Sequence, residues 1–320
     1  MDASRNSVTR PALPRNTLPR NKRRLQFLKN DWELYLLLLI PFLFVLLFKY
    51  GSYIGLTIAF KDYKIAKGFF GSEWAGLEIF EKVFKTRDFT KALRNTLLLN
   101  VLDLVFGFPM PIILALMLNE VRVIAYKKIS QTLLYLPHFL SWVIIGAIAY
   151  QLFSLTGIVN TLIERLGGSA IPFLQKDFHW LVSYVVIGVW QTMGWGTIVY
   201  LAAITSINPE LYEAAVVDGA NRWQQMLNVT LPCIRATIVT LLIMNLGRVM
   251  GGSFERVYAL KNVATTEFTY TIPVLVYRWG IEGTKQSMAT ALGLFQSVIG
   301  ILLVLGSDFV AKRLGEDGLL

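Results

Sequence analysis

The strongest constraint on this chain is a series of six long apolar stretches separated by polar segments. A helix needs about 20 apolar residues to cross the hydrocarbon of a bilayer. Hydrophobic residues make up 54% of the 320 residues and charged residues 16%, whereas soluble domains average about 25% charged residues. The sequence therefore predicts an all-α integral membrane protein with six transmembrane helices, at about 34–60, 93–118, 129–153, 181–204, 233–252 and 288–310.

The polar segment before the first span is strongly basic. Residues 1–33 carry eight Lys and Arg residues and are expected to be cytoplasmic. The apolar run after them is too long for the core of a signal peptide, so we expect it to remain as the first span. Six spans place both termini on the same side, but the expected inner and outer segments carry almost equal numbers of Lys and Arg, fourteen against thirteen. The orientation therefore depends on the basic leader.

The charge of the chain excludes some functions. The formal net charge is +10, but the basic residues cluster beside apolar spans, where they attract anionic lipid rather than nucleic acid. A single cysteine, Cys233, excludes an internal disulfide framework. The two histidines, His138 and His179, have no cysteine or carboxylate at ligand spacing, so no metal site is expected.

A mostly polar island, residues 212–232, lies between the fourth and fifth spans. Pro209 disfavours helix at the residue before it, and acidic residues and helix formers follow, which predicts a short helix over 210–220. Gly219 is placed to end that helix, and Pro232 to open the next one. Such a helix would lie across the membrane face, held at both ends by spanning helices, where a partner could grip and move it.

The spacing within the island resembles the EAA loop of ABC importer permeases. That pattern is EAA, three residues, Gly, nine residues, Ile, one residue and Leu-Pro. This chain has EAA at 213–215, then Gly219 and Val-Thr-Leu-Pro at 229–232, so that Val takes the place of Ile. Other segments resemble the permeases of oligosaccharide and polysaccharide-fragment importers, relatives of the maltose permeases, namely Phe48-Lys49-Tyr50, Gly107-Phe108-Pro109, Tyr135-Leu136-Pro137-His138-Phe139 and Tyr277-Arg278-Trp279-Gly280.

The resemblance implies an architecture and a set of partners. A permease core over 93–310 would contain the EAA loop at 206–232, follow a first span and outer loop at 34–92, and precede a cytoplasmic tail at 311–320. The partners would be a second, different permease, two ATPase subunits that hold ATP and Mg, and an extracytoplasmic binding protein that delivers an oligosaccharide. The residues expected to couple to the ATPase are Glu213, Ala214, Ala215, Asp218, Gly219, Leu231 and Pro232.

Motifs that are absent agree with a non-catalytic chain. No GxxxxGK[ST] occurs, and the glycines of 280–285 have the wrong spacing, so this chain should not bind ATP itself. No GxSxG or HExxH occurs, which argues against a membrane enzyme. A proton-coupled carrier would need carboxylates along its spans, and Asp103 stands alone. Either alternative, a membrane enzyme or a proton-coupled carrier, requires this chain to act on or move its substrate without ATPase subunits.

Two ionisable residues lie deep within the predicted spans, Asp103 and Arg248. Each costs about 2.5–3.5 kcal/mol at the bilayer centre on insertion scales, so each should face protein or water. They could pair with each other. Alternatively, Arg248 could bind cargo, because a guanidinium binds a carboxylate through two parallel hydrogen bonds. The cargo would then be an acidic oligosaccharide, such as an alginate or pectin fragment.

The resemblance also implies where cargo is contacted. In the related maltose permeases, cargo contacts lie on the helix before the EAA loop and on the helix after its Leu-Pro pair. Counted from Glu213 without gaps, the matching positions are Gly188, Gln191, Thr192 and Trp195 on the first helix, and Asn245, Arg248 and Gly252 on the second. Trp195 could equally be an ordinary packing residue, and a neutral oligosaccharide remains the alternative cargo.

Overall fold

The computed structural model describes residues 32–252, 254–262, 267–315 and 318. The chain divides into two compact units, residues 1–57 and 58–320. Almost all of the leader predicted at 1–33, and part of the predicted tail, lie outside the described residues.

The described part of the first unit is a single helical run. Helix α1 (Trp32–Val45) continues as a π turn, Leu46–Tyr50, and then as a 3-10 helix, Gly51–Phe60, whose last residues belong to the second unit. The run of 29 residues is apolar and long enough to cross a membrane, which confirms the first predicted span.

The second unit is helical apart from one small hairpin among its described residues. Strands β1 (Lys61–Asp62) and β2 (Glu73–Trp74) pair antiparallel. The α-helices are, in chain order, α2 (Gly68–Gly71), α3 (Glu78–Phe84), α4 (Arg87–Leu102), α5 (Pro109–Glu120), α6 (Ile124–Tyr135), α7 (Trp142–Phe153), α8 (Ile158–Arg165), α9 (Asp177–Thr205), α10 (Pro209–Val217), α11 (Arg222–Gln225), α12 (Leu231–Cys233), α13 (Arg235–Gly247), α14 (Phe254–Leu260), α15 (Ile272–Tyr277) and α16 (Gln286–Arg313).

The described residues contain five helical runs that can cross a membrane, or six if one bent pair counts as a span. Besides the first run, these are Arg87–Glu120, Trp142–Arg165, Asp177–Thr205 and Gln286–Arg313. In the run Arg87–Glu120, the Gly107-Phe108-Pro109 segment predicts a kink or a break, because proline lacks the N–H that an α-helix needs. A π turn, Asp103–Gly107, takes up this irregularity between α4 and α5, with the Phe108 N–H donating to the Asp103 carbonyl at 3.1 Å.

The fifth predicted span, 233–252, is longer than the helix found there, α13 (Arg235–Gly247). The segment Arg222–Cys233 meets α13 at a bend of 60°, and α13 has 13 residues, about 20 Å of helix against a hydrocarbon core of about 30 Å. The bend falls at Ile234, which leaves the helical region directly after α12. The helix ends at Gly247, so residues 248–252 form a turn rather than its last part.

The third predicted span, 129–153, is also broken. Helix α6 ends at Tyr135, and a 3-10 helix, Leu136–Phe139, leads to α7. Ser141 caps the start of α7, because its hydroxyl accepts from the Ile144 N–H at 3.4 Å. The apolar run of α7 then extends through α8, beyond the predicted end of the third span at residue 153.

The segment between the fifth and sixth spans is folded into the core rather than forming a loop. Helix α14 packs between α7 and α9, and α15 packs on α4 and α16. Three carbonyl contacts hold the end of α14. Trp180 Nε1 donates to the Leu260 carbonyl at 2.8 Å, and the Tyr150 hydroxyl donates to the carbonyls of Leu260 and Lys261 at 3.1 and 3.0 Å. These bonds satisfy carbonyls that a helix end leaves without partners.

Candidate functional site

The helix predicted in the polar island is α10, and its start is fixed by local signals. Asn208 has extended backbone, and its side chain accepts from the Glu210 N–H at 3.1 Å. Pro209 occupies the first helical position, where the missing N–H is not needed. The Asn208 cap and Pro209 together therefore set the start of α10 at Pro209.

The end of α10 is a Schellman motif built on Gly219. The Ala220 N–H donates to the Ala215 carbonyl at 2.8 Å, and the Gly219 N–H donates to the Val216 carbonyl at 3.0 Å. Gly219 has a φ of 79°, a left-handed conformation that costs other residues roughly 1–2 kcal/mol. The helix ends three residues before the predicted limit at residue 220, and the glycine of the motif provides the turn that stops it.

Side-chain contacts tie the loop to the helices on either side. The hydroxyls of Tyr212 and Thr230 lie 2.9 Å apart, which joins α10 to the π turn Met226–Thr230 before the Leu-Pro pair. Arg222 donates to Glu120 at the end of α5 at 2.7 Å. Leu231 and Pro232 lie in α12, immediately before the 60° bend. A displacement of α10 would therefore be transmitted directly to the start of α13 and to the end of α5.

The outer face of α10 is exposed and partly apolar. Glu213, Ala214, Asp218 and Gly219 are exposed, and Ala215 is half-buried. Beside them, the side chains of Val216 and Val217 are 60% and 87% exposed, and that of Trp223 is 67% exposed. Clustered exposed apolar side chains around a carboxylate are typical of a surface that is covered by a protein partner.

On α9, the four positions predicted to contact cargo divide between two faces. Gly188 and Gln191 are buried, whereas Thr192 is exposed and the Trp195 side chain is 47% exposed. The guanidinium of Arg256 occupies the space beside Gly188. This packing accounts for the glycine, and of the four predicted positions only Thr192 and Trp195 are exposed on the surface of this chain.

The three predicted positions after the Leu-Pro pair do not share one helix, because α13 ends at Gly247. Asn245 is exposed on α13, and its amide donates to the Leu241 carbonyl at 2.8 Å. Arg248 is exposed directly after the helix and makes no ion pair with any described residue. Gly252 is exposed with a φ of 43° and lies beside Asn100. Arg248 is therefore available to an anionic ligand.

The predicted alternative that Asp103 pairs with Arg248 is wrong. Asp103 pairs with Arg256 of α14, whose side chain is only 6% exposed. The same guanidinium lies 3.7 Å from the centre of the Tyr184 ring and 5.7 Å from that of Trp142, and it also donates to the Tyr184 hydroxyl. The sequence did not indicate Arg256, because it lies in a segment that has the polarity of a loop.

Comparisons with known proteins agree with this arrangement of helices and loop. The family model for the binding-protein-dependent transport system inner membrane component matches residues 95–316. Protein LplB of Bacillus subtilis (strain 168) is 45% identical over 294 residues, which cover 91% of this chain and 92% of LplB. The polygalacturonan/rhamnogalacturonan transport system permease protein YteP of the same organism is 42% identical over 301 residues, 94% of each chain.

A solved structure is similar along nearly the whole chain. It is a bacterial alginate ABC transporter in complex with an alginate pentasaccharide-bound periplasmic protein, and one of its chains matches with a TM-score of 0.83 and 40% identity over 93% of this chain and 100% of that chain. This chain therefore belongs to the family of binding-protein-dependent transport system inner membrane components, as a multi-pass, non-catalytic permease subunit of an ABC importer.

Proposed function

We propose that this permease carries acidic oligosaccharides built from uronic acids, such as fragments of pectin or alginate. The observation that carries the proposal is Arg248, an exposed guanidinium with no ion-pair partner among the described residues. An unpaired cation at a cargo position is costly in a membrane unless a ligand or water meets it. The names of two similar proteins support the same cargo class, since one transports polygalacturonan and rhamnogalacturonan and the other alginate.

The proposed cargo face combines charge with groups that suit sugars. Arg248 would bind a carboxylate through two parallel hydrogen bonds. The amide of Asn245 and the hydroxyl of Thr192 would meet sugar hydroxyls, and the exposed indole of Trp195 would stack on a sugar ring. Gly188 and Gln191 are left out of this face because they are buried within the chain.

The driving force would come from partners that grip the EAA loop. In this proposal, a second and different permease completes the pathway, a binding protein delivers cargo from outside, and two ATPase subunits bind ATP and Mg on the cytoplasmic side. The exposed face of α10 would enter a groove on one ATPase subunit, with Glu213 meeting a basic group and the two alanines keeping the helix slim. Closure of the ATPases would move α10 and rock the spans joined to it.

The loop must then face the cytoplasm, which fixes the orientation of the whole chain. With six spans, both termini would also be cytoplasmic, and the basic leader would lie at the inner membrane surface. The hairpin of β1 and β2 and the segment that contains α14 would lie on the outer side.

The experiment is cargo selectivity in the reconstituted complex. The full transporter in proteoliposomes, supplied with its binding protein, would be given a galacturonate trisaccharide or the corresponding galactose trisaccharide. Loss of hydrogen bonds to a charged group costs about 1.5–3 kcal/mol, so Arg248→Gln should weaken the response to the acidic cargo roughly 10- to 100-fold and leave the neutral response unchanged. The matched control is Arg165→Gln, which removes an exposed arginine at the end of α8.

Equal loss for both cargoes in Arg248→Gln would show that Arg248 is a structural residue. A wild-type complex that responds to the galactose trisaccharide and not to the galacturonate trisaccharide would contradict the acidic cargo and favour a permease for neutral oligosaccharides.

A further inference from the structure

We propose that the hairpin of β1 and β2 anchors this permease to the membrane surface: the exposed aromatic side chains of Phe70 and Trp74 insert into the interfacial layer of the lipid bilayer. Both residues lie in the polar segment 61–92, outside the predicted spans. The anchor would work with any cargo and on either side of the membrane, so it is independent of the proposed function.

Hydrogen bonds tie the hairpin to the ends of two membrane-crossing helices. The N–H groups of Ala75 and Gly76 donate to the Phe60 carbonyl at 2.8 and 3.0 Å. The Tyr63 N–H donates to the Ser287 hydroxyl at 3.0 Å. Phe60 is the last residue of the first membrane-crossing run, and Ser287 is the second residue of the run Gln286–Arg313. One hairpin therefore joins the end of the first run to the start of α16, at one surface of the membrane.

The length of α16 sets the depth of the hairpin. Helix α16 has 28 residues, about 42 Å of helix, and a bilayer with its headgroups is about 40–45 Å thick. Lys285 precedes the helix, and Lys312 and Arg313 end it, so basic anchors flank it on both sides. The start of α16 therefore lies in the headgroup layer, together with the hairpin that is bonded to Ser287.

The hairpin closes on itself and holds its tip in a fixed position. The Lys64 N–H donates to the Ser72 hydroxyl at 3.1 Å, and this hydroxyl donates to the Gly68 carbonyl at 2.7 Å. Lys61 Nζ donates to the Phe69 carbonyl at 2.9 Å. These bonds hold the short helix α2, which carries Phe70, against the two strands.

Two aromatic side chains of this hairpin are left uncovered by the second unit of the chain. Phe70 is 93% exposed, and Trp74 is 67% exposed. The Trp74 ring stacks on Phe60, with 5.8 Å between centroids and 12° between planes, so the indole lies against the end of the first run. Exposed aromatic rings at the level of the headgroups are typical of side chains that are stabilised at a lipid interface.

The charges of the hairpin are matched among themselves. Lys64 pairs with Asp62 at 3.5 Å, and Lys67 pairs with Glu73 at 2.7 Å. The remaining charged side chain of residues 61–74, Lys61, donates to a backbone carbonyl. A protein partner held by charge complementarity would meet little net charge here, whereas a lipid interface needs only the apolar side chains. The charge pattern therefore favours lipid as the occupant of this surface.

The test is a spin label at residue 70 of the complete transporter in proteoliposomes. Phe70→Cys would be introduced into a Cys233→Ser chain and assembled with cysteine-free partner subunits. Collisions of the label with oxygen, which dissolves in lipid, and with a nickel chelate, which stays in water, report its surroundings. The ratio of oxygen to nickel collisions should be at least about threefold higher at residue 70 than in the control, Glu81→Cys. Glu81 is an exposed carboxylate of α3 in the same segment, and a charged side chain stays in water.

The lipid composition gives a second readout. Because the hairpin is nearly neutral, the ratio at residue 70 should agree within about twofold between phosphatidylcholine vesicles and vesicles that also contain phosphatidylglycerol. A high ratio that requires phosphatidylglycerol would show that charge holds the hairpin at the membrane, which would contradict the role of the aromatic side chains.

Three other results at residue 70 would overturn the anchor. A ratio equal to that of Glu81→Cys would place Phe70 in water. Low collision rates with both reagents would place it against another subunit of the transporter. Nickel collisions that disappear only when the binding protein is added would identify the hairpin as a docking surface for that protein.

Discussion

The guanidinium of Arg256 lies where a side chain on Gly188 would lie. It reaches this position from α14 and there pairs with Asp103 at the π turn between α4 and α5. It also stacks on Tyr184, one turn before Gly188 on α9. One arginine thus joins three parts of the permease core that are distant in sequence.

Gly188→Ala should destabilise the protein by displacing this guanidinium. We expect a loss of about 3 kcal/mol, the low end of the cost of breaking a buried ion pair from one side. The measurement is thermal unfolding of the purified complex. The control is Gly306→Ala, a glycine within α16 whose added methyl group meets nothing within 4 Å, and this change should be neutral or slightly stabilising.

The origin of that loss can be checked in a second background. In Arg256→Ala the space beside Gly188 is empty, so Gly188→Ala should then cost almost nothing. Equal costs in both backgrounds would show that another neighbour of Gly188 is responsible.

Asp103 and Arg256 should behave as a coupled pair. Arg256→Met leaves the Asp103 carboxylate buried without a partner, and Asp103→Leu leaves the Arg256 guanidinium buried without a partner. Each change should therefore lower the free energy of unfolding by about 3 kcal/mol. The double variant should be closer to wild type than the sum of the single changes, with a coupling energy of at least about 1 kcal/mol in a thermal-unfolding cycle. Strict additivity would mean that the two charges act independently.

Glu213→Gln should uncouple transport from ATP hydrolysis without unfolding the protein. Glu213 is exposed on α10 and makes no ion pair with a described residue, so its loss should change the stability of the isolated permease by less than about 0.5 kcal/mol. Uptake into vesicles should nevertheless fall at least about tenfold. Glu210→Gln changes a carboxylate of the same helix outside the motif, and normal uptake is expected there. Normal uptake in both variants would contradict the role of Glu213 in docking to the ATPase.

The segment after residue 266 should be held less tightly at acidic pH. Glu267 accepts from Lys91 at 2.7 Å and also from Arg94, and these hydrogen bonds hold the pKa of the Glu267 carboxyl below its usual value. A depressed folded pKa stabilises the protein above the unfolded value, and this contribution is lost as pH falls through the folded pKa. Since the carboxylate is well exposed, the effect should stay below about 1 kcal/mol.

The measurement for Glu267 is the difference in unfolding free energy between wild type and Glu267→Gln. It should be constant between pH 7 and 5 and should shrink only below about pH 4.5, the ordinary range of a Glu carboxyl. Glu255→Gln, an exposed carboxylate of α14, should show no such change. A constant difference down to pH 3.5 would contradict the role of the ion pairs.

Local signals made the EAA loop predictable from the sequence. Asn208-Pro209 marks the start of α10, and Gly219 marks its end, because capping depends on residues within one turn. The spans were found by hydropathy, but their breaks were not. Pro137 and Ser141 are ordinary helix signals, yet they lie within an apolar run that an average over twenty residues reads as continuous.

The ion pair of Asp103 was missed for a different reason. The partner of an intramembrane charge is set by packing between distant segments, and Arg256 can reach Asp103 only because α14 folds back into the core beside Gly188. Hydropathy indicated Arg248 as the partner instead, because Arg248 lies at the end of an apolar run. The short length of α13 also depends on the bend at Ile234. No single residue in the sequence predicts that bend.

The most direct test of the account is the side of the membrane that α10 faces. Val217→Cys, at a position of α10 that is 87% exposed, would be introduced into a Cys233→Ser chain and treated with a membrane-impermeant maleimide. The account predicts labelling in inside-out vesicles only, and protection from labelling when the ATPase subunits are bound. Labelling of Val217→Cys in sealed right-side-out vesicles would contradict it, because the loop could not then meet ATPases in the cytoplasm.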